Sequence, residues 1–288
     1  MAMGPTIGLV LKGNAPEALI SLAVAQRAVP NAVFLVEAQG HHSLSPLPKG
    51  VEAVDPATIE REAELILVLG GDGTLIHAAS ILQNKIVPIL GVNLGHIGFL
   101  TDVTRDELEE MLPRALNGEL PYVDRLRLDV AVCRGSEILI AGRVLNDAVV
   151  NQLGLARIAQ YRISFGEELV TTLRADGVII ATPTGSTAYS MAAGGSILTP
   201  GLNGVAITPI CAHALTQRPL VVSPDKPITV ALESDSDVMA SFDGQSGHEV
   251  RQGDVMTVRA APIPTRLYSS PKRYYFQTLR AKLRWGED

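Results

Sequence analysis

The stretch ELILVLGGDGTLIHAASIL, residues 64–82, limits the folds open to this chain more than any other. Leu65 to Leu69 is apolar without a gap, the pattern of a strand buried on both faces of a parallel sheet. Leu75, Ile76, Ala79 and Leu82 then recur at helical spacing. Between them Gly70, Gly71, Asp72, Gly73 and Thr74 read as a tight loop. A strand that passes through glycines into a helix belongs to an α/β sheet, and such sheets bind ligands at the carboxyl ends of their strands. Loop N–H groups and the positive end of a helix suit phosphate. An acid in that place is electrostatically unfavourable unless it meets a metal ion or takes a proton, and both are roles in phosphoryl transfer.

The flanks extend the same pattern. Residues 6–13 and 32–38 read as strands, 15–29 as a helix, and 40–50 as a loop. Residues 85–102 bring a second apolar strand that runs into glycines. Thr104 with Glu107 forms a capping box for a helix over about 105–117, which Gly118 ends and Pro113 kinks. Alternating strands and helices predict a mostly parallel sheet. Near Pro121 the period changes: Leu126, Leu128, Val130 and Val132 alternate as in a half-exposed strand. The segments 161–181, with a turn at Gly166, and 227–261 continue as short strands broken by turn residues. The sequence therefore divides into an α/β domain over 1–122, completed by a tail over 265–288, and a β-rich domain over 123–264. The tail is apolar and basic, helical over 276–283, and expected to pack back on the rest.

Composition excludes several classes. In a chain of 288 residues, 47% apolar and 19% charged residues describe a globular protein with a real core. A net charge of −6 gives no global attraction to nucleic acid or anionic lipid. Two cysteines, Cys133 and Cys211, both in apolar surroundings, argue against a disulfide framework and fit a reducing compartment. No apolar run is long enough to span a membrane, and the opening MAMGPTIGLVLKG lacks a basic region before an apolar secretory core. The expectation is a cytoplasmic protein.

Four further stretches carry chemistry. In NLGHIGFLTD, Gly95 and Gly98 surround His96 and allow close approach of backbone to a ligand; an ordinary loop with Phe99 in the core is the alternative. In LNDAVVNQ, Asn146 and Asp147 sit together among apolar neighbours and need partners, unless they form a simple turn. In RADGVIIATPTGSTAYSMAAGGSIL, Asp176 leads into a strand. That strand opens on the hydroxyl-rich loop Thr182–Thr187 and a short helix from Ala188, a setting for ribose or phosphate. In SFDGQSG, Asp243 reads as the start of a hairpin turn. No spacing of histidines supports zinc, and no Gly-x-Ser-x-Gly elbow or Walker loop occurs.

Taken in order, GGDGT at 70–74, GVNLGHIGFL at 91–100, ND at 146–147 and ADGVIIATPTGSTAYSMAAGG at 175–195 resemble the NAD kinase family. RPLVV at 218–222 and DGQ at 243–245 extend the likeness to the tail. The resemblance implies an α/β N-terminal domain with a Rossmann-like parallel sheet plus a β-rich C-terminal domain. It implies transfer of the terminal phosphate of ATP, with polyphosphate an open alternative, to the 2′-hydroxyl of the adenosine ribose of NAD. It implies Mg²⁺ or another divalent metal, with no protein side chain assigned to it, and a homodimer or homotetramer. By position, Gly71, Asp72, Gly73 and Thr74 match the active loop, with Asp72 as the base. Phe99 matches a position near the adenine. Asn146 and Asp147 match an Asn-Glu pair that contacts the dinucleotide, with an acid one methylene shorter here. Asp176, with Arg174 beside it, matches an acid on the nicotinamide side, donated across a subunit interface. Thr184, Thr187, Ala188 and Tyr189 match the dinucleotide-binding loop; Arg157 and Gln245 complete the expected set. Lipid kinases with similar glycine-aspartate loops, and a dinucleotide sensor without turnover, are the competing readings.

Overall fold

The computed structural model describes residues 4–13, 15–38, 46–95, 98–153 and 158–286. Its elements in chain order begin with β1 (Thr6–Leu11), α1 (Pro16–Ala28), β2 (Val33–Glu37), β3 (Val51–Val54) and α2 (Pro56–Glu62). Next come β4 (Leu65–Gly70), α3 (Asp72–Ile81), β5 (Ile89–Asn93), β6 (Val103–Thr104), α4 (Leu108–Leu116) and β7 (Tyr122–Arg125). The strands β8 (Leu128–Arg134), β9 (Glu137–Val144), β10 (Asp147–Gln152), β11 (Ala159–Phe165), β12 (Glu168–Ala175) and β13 (Gly177–Ala181) follow. Then come α5 (Tyr189–Ala192), β14 (Val205–Ile210), β15 (Leu220–Val222), β16 (Ile228–Leu232), β17 (Val238–Phe242), β18 (Ser246–Val250) and β19 (Val255–Ala260). The chain closes with β20 (Thr265–Tyr268) and α6 (Tyr275–Leu283).

The chain forms two compact units, Met1–Asp124 with Thr265–Asp288, and Arg125–Pro264. In the first, the sheet runs β3-β2-β1-β4-β5-β20-β7, with β6 also on β5. The ladders joining β1 to β2 and β4, β2 to β3, and β5 to β4, β6 and β20 are all parallel. Strand β4 is buried along its whole length, as its unbroken apolar run requires. Chain direction across the sheet reverses between β1 and β4, so the carboxyl ends of these two strands open a crevice, the usual ligand site of such sheets. The core joins α1 and α4 to the sheet through Leu22, Ala25, Met111 and Leu112.

The second unit has two antiparallel six-stranded sheets, β15-β14-β13-β10-β17-β18 and β12-β11-β16-β19-β8-β9. Val150, Val178 and Phe242 of the first pack with Val130, Tyr161 and Met256 of the second in one core. In β8 the alternation of buried and half-buried residues is the one the sequence predicts.

Several local expectations need amendment. The capping box at Thr104 and Glu107 is present, but residues 105–107 form a 3-10 turn before α4 begins. That helix continues across Pro113, and Gly118 (φ +71°) follows its end. Residues 51–63, to which the sequence reading assigns no element, form β3 and α2; α2 has its start marked by Asp55, whose side chain accepts from Thr58 N at 2.9 Å. Cys211 is exposed rather than enclosed by apolar neighbours, and both cysteines are free. No helix among the described residues is long and apolar enough to cross a membrane.

Candidate active site

The first unit builds its site around Asp72. The sequence pattern leaves Asp72, Gly73 and Thr74 in a loop, whereas α3 already begins at Asp72, after an extended Gly71 (φ −109°, ψ −167°). Leu75 N closes the first turn on Gly71 O at 3.1 Å. An acid in the first turn is favoured by the helix dipole, and the first N–H groups of a helix have no partner within it. The turn is therefore a set of free donors with a carboxylate beside them.

That carboxylate is held by the segment 98–101. Oδ2 accepts from Phe99 N at 2.8 Å. Oδ1 accepts from Leu100 N at 3.1 Å and from both N and Oγ1 of Thr101 at 3.2 Å. Thr101 Oγ1 in turn accepts from Asn93 Nδ2 at 2.8 Å. Three donors thus load Oδ1 while one loads Oδ2, so Oδ2 retains a lone pair for an incoming hydroxyl. A Cβ on Gly98 would lie 1.9 Å from Oδ1; only glycine lets this loop close on the acid. At Gly71 and Gly73 a Cβ would meet nothing within 4 Å among the described residues. The fold has no use of its own for glycine there, while a ligand that approaches the backbone has. Phe99 is half-buried. His96 lies outside the described residues.

In the second unit another aspartate repeats the device. Asp243 Oδ2 accepts from Leu145 N at 2.8 Å, and Oδ1 from Asn146 N at 2.8 Å and Asp147 N at 3.0 Å. The hairpin expected at Asp243 is also present: Asp243 (φ +50°) and Gly244 (φ +64°) join β17 to β18 with the positive φ values such a turn demands. Thr182 pins the hydroxyl-rich loop to the same backbone. Its N donates to Asn146 O at 2.8 Å and its Oγ1 to Leu145 O at 2.6 Å. A Cβ on Gly185 would lie 2.2 Å from Asn146 O. Thr184 is buried, and Thr187 Oγ1 donates to Thr184 O at 3.1 Å. Ala188 N donates to Gly185 O at 2.9 Å, and Tyr189 opens α5 with its ring partly exposed. Asn146 Oδ1 is buried without a hydrogen-bond partner among the described residues.

Burial, reinforced by the charge of Asp243, pushes the Asp147 carboxyl up to about 7. Burial also raises Asp243, against three backbone donors and the nearby Arg127 charge. Those donors favour an ionised Asp243, so Asp147 is the member of the pair that carries the proton.

The other expected residues stand apart from this cluster. Asp176 precedes β13, whereas Asp147 pairs with Ala181 at the opposite end of that strand. About 20 Å of extended chain separates Asp176 from Thr182. The Asp176 carbonyl accepts from Gln152 N at 2.8 Å and Tyr161 OH at 3.3 Å. Tyr161 is fully buried, and burial, with Asp176 nearby, raises its phenol well above the usual range. Arg174 lies exposed in β12 opposite Gln160, and Gln245 is exposed in the Asp243 turn. Arg157 lies outside the described residues. Among those residues no group of three or more His, Cys, Asp and Glu side chains could hold a metal ion. Sequence reasoning passed over Thr101 and the holding roles of Thr182 and Asp243; a Thr after FL and a hydroxyl before Pro183 are weak signals by themselves.

A glycine-led helix start at the carboxyl end of a parallel sheet, with an acid pinned beside it, defines a phosphate-handling α/β protein. The ATP-NAD kinase N-terminal domain model matches residues 27–120, and the ATP-NAD kinase C-terminal domain model matches residues 145–270. A NAD kinase of Geobacter sulfurreducens is 47% identical over 239 residues, 83% of this chain and 84% of that protein. One from Geobacter metallireducens is 45% identical over 270 residues, 93% and 92% of the two chains. The chain belongs to the NAD kinase family. Its fold is shared with yeast NADH kinase solved with NADH (TM-score 0.91, 24% identity, 100% of this chain and 90% of that one). It is also shared with an NAD kinase from Archaeoglobus fulgidus solved with ATP (TM-score 0.74, 24% identity, 97% and 98%).

Proposed function

We propose that this chain transfers the terminal phosphate of ATP to the 2′-hydroxyl of the adenosine ribose of NAD and so makes NADP. The observation that carries the reading is Asp72: a carboxylate fixed by the segment 98–101, with one lightly loaded oxygen, beside a helix start whose glycines leave room for a ligand. Asp72 Oδ2 accepts the proton of the attacking hydroxyl. The N–H groups at Gly71, Gly73 and Thr74 receive phosphate oxygens. Phe99 packs near the adenine. Asn146, through an Oδ1 without a partner among the described residues, and Asp147 bind hydroxyls or amide of the dinucleotide. Thr184, Thr187, Ala188 and Tyr189 line the dinucleotide loop, with Arg157 and Gln245 as further contacts. Asp176 and Arg174, remote from Asn146 within one chain, act on a dinucleotide held by a second copy, which makes the working form a homodimer or homotetramer. The 123–264 domain carries both dinucleotide binding and assembly. A divalent ion such as Mg²⁺ enters with the triphosphate of ATP rather than in a cage of side chains, and it neutralises phosphate charge. The enzyme works in the cytoplasm in NADP biosynthesis, without nucleic acid or membrane.

A positioned base is worth roughly 10²–10⁴ in rate; alignment of donor and acceptor, and donors aimed at the phosphoryl group, supply the larger share. The test incubates purified protein with NAD, ATP and Mg²⁺ and follows NADP with an NADP-specific dehydrogenase. NADP should form. Asp72→Asn should lower turnover by about 10²–10⁴ and leave calorimetric NAD affinity nearly intact. Equal loss of binding and turnover removes the base assignment; NAD bound without NADP formed establishes a sensor instead.

A further inference from the structure

A cavity of about 690 Å³ lies in the first unit. Its wall includes Gly95, Arg273, Gln277, Thr278, Lys282 and Arg284. The last four come from one side of α6 and from its end; Arg284 stands at the left-handed residue (φ +52°) that stops the helix. Three cations and no acid face the space among the described residues. In a chain of net charge −6 that is a local reversal of sign. Arg273 is anchored, since its Nη1 donates to Glu107 Oε2 at 2.7 Å and to Asp102 O. Lys282 and Arg284 are exposed and form no ion pair among the described residues. Gly95 repeats the oddity of Gly71 and Gly73: a Cβ there would meet nothing within 4 Å among the described residues. It also begins the segment whose far end, Phe99 to Thr101, grips Asp72.

The chemistry selects an extended anion. Guanidinium groups bind phosphate oxygens in pairs, an ammonium binds them as a point charge, and Gln277 and Thr278 add neutral donors. An apolar guest would strip water from cations and return nothing. A single carboxylate would engage one of the three. We propose that this cavity binds a chain of phosphates. On the phosphotransferase reading, on which this extends, that chain is the tail of a nucleoside triphosphate or inorganic polyphosphate.

The test starts with binding, which needs no turnover. Inorganic tripolyphosphate is titrated into the wild type and into Lys282→Gln/Arg284→Gln by calorimetry, with thermal unfolding as a check that the variant is folded. The wild type should bind. The variant should bind about ten-fold more weakly or worse, with a shallower salt dependence. Equal binding, or none to the wild type, overturns the site. Wild-type protein that binds tripolyphosphate but makes no NADP keeps the site and removes the kinase reading. Steady-state kinetics then separate the two sources. A raised KM for ATP with an unchanged KM for NAD identifies the nucleotide tail. A raised KM for polyphosphate alone identifies the inorganic chain. Lost tripolyphosphate binding with both donor KM values unchanged overturns the donor role.

Discussion

Asp72 meets two opposed demands. It must stay at the positive end of α3, where phosphate oxygens also belong, and it must keep an oxygen free for a hydroxyl. The four donors from 99–101 satisfy the first by fixing the carboxylate, and their uneven division between Oδ1 and Oδ2 satisfies the second. Gly98→Ala tests this without touching the acid. A Cβ placed 1.9 Å from Oδ1 must push the carboxylate or the loop aside. Turnover should fall by about 10²-fold, the scale of a misplacement near 1 Å, and thermal unfolding should show a loss of roughly 1–3 kcal/mol. Asp147 offers a test by pH. Its pKa rises from 3.8 unfolded to about 7 folded, so between those values the folded state holds a proton that the unfolded state has released. Its contribution to stability is complete below about pH 4 and is lost as pH rises to about 7. Asp147→Asn should flatten that decline and stabilise the protein above pH 7, with a ceiling of roughly 4 kcal/mol. Denaturant unfolding of both forms from pH 4 to 8 measures it.

At the scale of elements, one arrangement serves twice. An aspartate outside a motif accepts consecutive N–H groups of the motif and fixes its path: Asp72 for 99–101, Asp243 for 145–147. Asp243→Ala should leave three donors without their acceptor, cost on the order of 2–4 kcal/mol and weaken NAD binding by calorimetry, while the β17–β18 turn persists. These pairings explain what the sequence could and could not disclose. Local signals were legible: the apolar run of β4, the Thr104–Glu107 box, the turn at Gly166, the alternation in β8. Segments with local but modest signals were not. Strand β3 has four residues with Glu52 exposed at a sheet edge, and β9 alternates poorly because its outer face is open. The start of α3 was misplaced because glycines inside a first helical turn read as loop. The grip of Asp243 on Asn146 spans 97 positions, and no periodicity encodes that. The hairpin that Asp243 also makes concealed it.

At the scale of the molecule, the first unit is discontinuous and the second is not. Strand β20 lies between β5 and β7 in the first sheet. A chain that stops at Pro264 therefore lacks an inner strand of that sheet and α6. It should keep the cooperative unfolding of the antiparallel sandwich and lose most of its helical circular-dichroism signal, because five of the six α-helices among the described residues belong to the first unit. Retention of the full helical signal would show that the first sheet closes without β20.

The interruption of the first sheet also has a meaning in time. Synthesis at about 5–20 residues per second delivers the whole of Arg125–Pro264 before β20 exists. The unit that holds Asp72 is begun first and finished last, with the intervening sandwich free to fold while it waits. A nascent or prematurely ended chain thus displays the glycine loop without the sheet that aims it, and such a fragment should transfer no phosphate.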